Sequence, residues 1–135
     1  MNNKYISIAG YLGAITVALG AFGAHALKEK LAPEAMDIYK TAVLYQFIHV
    51  LALLGAGILY RFNPAKAFAW AGNLFIAGIV LFSGSLYMLV YALNSGNSSL
   101  NWLGAITPVG GVCFIVGWLC IAAGASRQPS KSANP

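Results

Sequence analysis

From Tyr5 to Leu27 the chain runs without a single Asp, Glu, Lys or Arg. An α-helix needs roughly 20 predominantly apolar residues to cross about 30 Å of hydrocarbon, so this stretch predicts a membrane span. Its small residues are ordered. Ala9, Gly13, Thr16, Gly20 and Gly23 recur at alternating steps of four and three, which keeps them on one stripe of a helix. Lipid tails are as apolar as leucine, so helices associate in membranes through close backbone approach and hydrogen bonds, and small residues permit that approach. The stripe is therefore the expected docking face for the other spans, and a leucine at Gly20 is expected to overpack it.

Composition agrees with a chain dissolved in lipid. Of 135 residues 59% are hydrophobic and 8% charged, against about 25% charged in soluble domains. Eight basic and three acidic residues leave a net charge of +5. The basic residues stand between apolar stretches and in the tail instead of forming a patch, so nucleic acid is not an expected partner and the charge reads as a topology signal. Cys113 and Cys120 lie seven residues apart in one apolar segment, about 10 Å along a helix, too far for an undistorted disulfide. Lys4, the first apolar stretch and Ala24-His25-Ala26 together resemble a secretory signal. The stretch is longer than the about 7 to 15 residues of a signal's apolar region, and is read as a retained span.

The whole reads as an all-α integral membrane protein, a four-transmembrane-helix bundle over residues 1–125 with spans at about 5–27, 40–60, 67–93 and 102–125. All three acids fall between the first two spans, at Glu29, Glu34 and Asp37. Pro33 suits the first turn of the second helix, which starts outside the hydrocarbon, with Glu34 and Asp37 favouring the positive end of its dipole. Pro64 separates the second and third spans. Ala71, Gly78, Ser85 and Ala92 repeat at sevens in the third span, and Gly110, Cys113, Gly117, Cys120 and Gly124 follow fours and threes in the fourth. Residues 126–135 form a polar tail expected to be disordered, since it cannot bury enough apolar surface to fold.

Lys4, Arg61, Lys66, Arg127 and Lys131 collect on one side of these spans, Lys28, Lys30 and Lys40 on the other. By the positive-inside rule both termini are expected in the cytoplasm.

His49 is the most informative single residue, because an ionisable group inside an apolar span is costly and raises a functional hypothesis by default. Tyr45 and Gln46, one turn earlier, add polarity. A neutral imidazole bonded to a neighbouring helix is the competing structural reading. His25 closes the first span, and a histidine pair on adjacent helices invites a haem-ligand reading. At 1.5 Å per residue, His25 lies roughly 3 Å and His49 roughly 12 Å below the outer boundary, whereas axial ligands of one haem share a depth. No cofactor is expected, and no metal, since the spans carry no acid or further histidine. Thr107-Pro108 is expected to break the fourth helix and free a carbonyl near Gly104, a device that lines sites in transporters and also kinks packed helices. Ser83 and Ser85 read as packing and hydroxyl back-bonding. Gly13, Gly20, Gly23, Gly78, Gly110, Gly117 and Gly124 complete the list as helix-packing positions.

Four ordered motifs carry a resemblance. Gly20-Ala21-Phe22-Gly23-Ala24-His25-Ala26-Leu27, Tyr45-Gln46-Phe47-Ile48-His49-Val50, Leu81-Phe82-Ser83-Gly84-Ser85-Leu86-Tyr87 and Leu103-Gly104-Ala105-Ile106-Thr107-Pro108-Val109-Gly110-Gly111, with Gly117-Trp118 after them, resemble the YgdD/YwdK-like family of small bacterial inner-membrane proteins, a domain of unknown function with a eukaryotic transmembrane relative. The resemblance implies a multi-pass protein of the bacterial inner membrane and no assigned activity. The expectation is a structural, assembly or accessory component, not an enzyme, acting through helix contacts with membrane lipids, a second copy or a larger membrane complex. The alternative is a lipid, quinone or small-solute module centred on His49.

Overall fold

The structure, a computed structural model, describes residues 3–127. Four helices in it are long and apolar enough to cross a membrane: Lys4–Leu27, Pro33–Phe62, Lys66–Ser95 and Ser98–Ser126. The first comprises α1 (Lys4–Phe22) and a π-helical turn, Gly23–Leu27. Next comes α2 (Pro33–Phe62), with Pro33 in its first turn beside Glu34 and with Arg61 in its last, each where the helix dipole favours it. The third joins α3 (Lys66–Gly78) to α4 (Gly84–Ser95) through a second π-helical turn, Ile79–Ser83. Gly96, at φ 68°, ends α4 in the left-handed conformation that only glycine adopts without strain. The proposed disordered tail at 126–135 lies outside the described residues from 128 onward.

The fourth span differs from its expectation. Residues Ser98–Ala105 form a 3-10 helix, and the α-helix α5 (Thr107–Ser126) begins only at Thr107. Pro108 thus stands in the first turn of α5, where a missing N–H leaves no intrahelical bond unmade, instead of breaking a helix in progress. Gly110 N–H bonds Ile106 O at 3.2 Å and Ile106 N–H bonds Leu103 O at 3.0 Å, so the junction retains these backbone bonds, none of which uses the Gly104 carbonyl.

Packing places α2 and the α3–α4 rod at the centre, with 39% and 33% of their most apolar windows buried against 17% for each flanking span. Tyr5, Ala9, Leu53, Ala56, Phe75 and Phe114 belong to one core, while Ala35, Met36, Tyr39 and Val90 close a smaller one at the opposite end. Large apolar side chains such as Tyr11, Leu51, Val80 and Leu119 point outward, an arrangement suited to lipid because no apolar residue loses by facing it. Phe68 touches Gly124, and Asn3 donates from Nδ2 to Gly57 O at 2.6 Å. Lys4, Arg61, Lys66 and Arg127 are therefore gathered at one end of the bundle, and the acid-bearing turn lies at the other.

Candidate functional site

Two sets of polar side chains lie between the helices, both built from residues of α2. In the first, Gln46 is buried and bridges three helices: its Nε2 donates to Thr16 Oγ1 of α1 at 2.8 Å, and its Oε1 accepts from Tyr87 OH of α4 at 2.8 Å. Thr16 passes its own proton to Leu12 O, 2.6 Å away. Ser83 donates to Ala42 O across 2.8 Å, and Tyr39 OH donates to Leu19 O. Gln46, Ser83 and Tyr39 are thereby answered by neighbouring helices, and the Thr16 hydroxyl by its own.

The second set surrounds His49, which is also buried. Its Nε2 lies 3.2 Å from Trp118 Nε1 and its Nδ1 lies 2.7 Å from Tyr45 O. An indole nitrogen can only donate, so Nε2 carries the lone pair, and the ring proton sits on Nδ1, donating to Tyr45 O. The imidazole is neutral and both nitrogens are taken. Its ring stacks on Phe114 with centroids 3.5 Å apart and planes 8° apart. Tyr45, partly exposed, stacks on Phe82 at 4.6 Å. Ser85 and Thr107 share a hydroxyl bond of 2.7 Å that ties α4 to the start of α5.

His25 is not brought to this site. It is exposed on the π-helical turn, and α1 runs antiparallel to α2 with Gly23 against Tyr39 and Gly13 against Val50. His49 is thus level with Gly13 to Ala14, about 16 Å along the helix from His25. Among the described residues no three His, Cys, Asp or Glu side chains converge.

The packing glycines divide into tight and loose positions. A Cβ at Gly117 would stand 2.7 Å from Phe75 Cε1 and one at Gly124 2.6 Å from Phe68 Cε1, while Gly78 lies under the Phe114 ring and Gly110 against the Phe82 backbone. These pairs advance by seven along one helix while retreating by seven along the other, which is the register of antiparallel helices with interlocking ridges and holes. Gly23 is tight beneath Tyr39. Gly13 and Gly20 are not: a Cβ at either would meet Val50 or Val43 at 3.6 Å, ordinary contact. Gly20 borders an open groove, and this corrects the expectation that backbones nearly touch there. Sequence reasoning missed Phe68, Phe75 and Phe82, whose spacing by sevens mirrors that of Gly124, Gly117 and Gly110. It also missed Gly57, pressed against Ile6 and the Tyr5 Cβ, and Gly72, pressed against the Tyr5 ring, because the signal lies in the partner helix and not in the glycine's own.

Residues 19–111 match the family described as Protein of unknown function (DUF423). The chain belongs to this family. A UPF0382 membrane protein of Staphylococcus epidermidis is 44% identical over 119 residues, 87% of this chain and 92% of the relative. The UPF0382 inner membrane protein YgdD of Escherichia coli K12 is 38% identical over 135 residues, 99% of this chain and 98% of its own. No solved structure matches. With four span-length apolar helices and these relatives, the chain is a multi-pass protein of the bacterial inner membrane. The family carries no assigned activity.

Proposed function

We propose that this DUF423 chain is a structural or accessory component of the membrane, not an enzyme, and that it acts through helix contacts. The observation that carries this reading is the state of His49: both ring nitrogens are bonded within the chain, to Tyr45 O and to Trp118 Nε1, and a ring lies flat on the imidazole. A histidine that exchanged protons or held a quinone or solute would need a free nitrogen facing a cavity. Here it joins α2 to α5, and Gln46 joins α2 to α1 and α4 in the same manner.

The outward face of α1 supports contact with a further helix. Gly10, Ala14, Ala18 and Ala21 are all exposed, a second small-residue stripe turned away from the one that packs on α2, and small residues at fours let membrane helices approach closely. The basic end of the bundle, by the positive-inside rule, faces the cytoplasm.

The test is co-purification of two differently tagged copies, with any retained partner protein, from gently solubilised membranes. Wild type should recover the second copy or a stoichiometric partner, and Ala14→Leu should reduce that recovery without altering the melting temperature. A wild-type chain isolated alone under every mild condition would overturn the reading.

A further inference from the structure

At the end opposite the basic cluster, α1 and α2 separate and leave a groove of about 540 Å³. Its floor exists because side chains are missing or minimal there: Gly20 and Ala24 contribute almost nothing to fill it, Gly23 is covered by the Tyr39 ring, and Val43, Leu44 and Phe47 wall the other side. The lining is apolar apart from two lysines. Lys28, just past the π-helical turn, and Lys40, in the second turn of α2, are the charged residues that border it, and none of Glu29, Glu34 or Asp37 does so.

Depth orders these groups. In the register set by Gly23 against Tyr39 and Gly20 against Val43, Lys28 is level with about Ala35 and Lys40 lies about 7 Å deeper, while Phe47, seven residues after Lys40, reaches about 10 Å deeper again at 1.5 Å per residue. Long lysine stems snorkel, which lets both ammonium groups reach the headgroup region, and the channel below them lies within the hydrocarbon, where an acyl chain resides. Tyr39, on the groove wall, has its hydroxyl turned inward to Leu19 O and offers the groove its ring. An anionic head above an apolar tail is the shape and charge that complement this surface. A soluble anion would meet the two lysines and leave the channel empty.

We propose that this groove seats one anionic phospholipid, its phosphodiester between Lys28 and Lys40 and one acyl chain along Gly20, Ala24 and Val43. The site is separate from His49 and stands whether or not the chain associates through α1.

The experiment uses the full chain, stripped of lipid in detergent and then titrated with phosphatidylglycerol or phosphatidylcholine, with bound lipid counted by native mass spectrometry. Wild type should retain one phosphatidylglycerol with at least a tenfold preference over phosphatidylcholine. Lys28→Gln with Lys40→Gln should abolish the preference, and Ala24→Leu should lower retention of both lipids by occupying the channel. The melting temperature of the lipid-free variants reports folding independently. Inorganic phosphate at the same concentration should not displace the lipid. Equal retention of the two lipids by wild type, an undiminished preference in the lysine variant, or displacement by inorganic phosphate alone would each overturn the proposal, the last by reducing the site to an anion contact.

Discussion

Trp118 donates its indole N–H to Nε2 of His49 across 3.2 Å, from one flank of the bundle to its centre. The bond settles the tautomer of a buried imidazole and joins α2 to α5 by side chains alone. It gives an ionisable residue within an apolar span a partner on a neighbouring helix.

If the bond is the reason for both residues, their removal should be coupled. His49→Leu and Trp118→Phe each delete the same interaction, so the double variant is expected to lose less than the sum of the two singles, with a coupling of about 0.6 kcal/mol and up to about 1.7. His49→Gln, which keeps a donor and an acceptor, should be milder than His49→Leu. Unfolding titrations in mixed micelles measure this, and strict additivity would contradict the bond.

The Gln46 bridge makes a separate forecast. Tyr87→Phe leaves Gln46 Oε1 without its donor, and should destabilise the bundle by an amount on the order of 1 kcal/mol. Tyr91→Phe, at an exposed position of the same helix, should stay within about 0.5 kcal/mol of wild type. Equal effects for the two would mean that Gln46 does not depend on Tyr87.

Glycines of the α3–α5 contact should be sharply intolerant. Gly117→Ala places a methyl group 2.7 Å from the Phe75 ring, and overpacking of this kind costs about 1 to 3 kcal/mol. Gly55→Ala meets nothing within 4 Å and should be neutral or slightly stabilising, since alanine is the better helix former. Thermal melting in detergent distinguishes them. The same measurement on Gly20→Ala should show little loss, because its new methyl would sit 3.6 Å from Val43.

Orientation is checked by reporters. Lys4, Arg61, Lys66 and Arg127 share one end of the bundle, so a reporter active only in the cytoplasm should work when fused after Pro135, and an export-dependent reporter at that position should be silent. A second fusion in the turn near Glu29 should show the opposite pattern. Reversed activity at both positions would place the basic end outside.

The four spans, their approximate limits and the polar residues they carry are legible in the chain itself, because the hydrocarbon core imposes a length and excludes charge on each helix separately. The small-residue stripes are legible for the same reason, as a property of one helix. What each stripe meets is a property of two. Whether Gly117 is intolerant and Gly20 is not depends on whether a Phe75 ring or a Val43 methyl lies opposite, and that register is chosen only when antiparallel helices slide until rings fall over holes. The same holds for His49: its residue type favours a bond to a neighbouring helix over a ligand role, but the partner that the bond needs is Trp118, 69 positions away in the chain. Pro108 shows the same division: the proline reads as an interruption of the fourth span, and the structure makes that interruption a change from a 3-10 segment to an α-helix that starts at Thr107. Local rules govern what each helix is, and tertiary packing decides which of its polar groups are spent, because in lipid a polar group is answered by whichever helix happens to reach it.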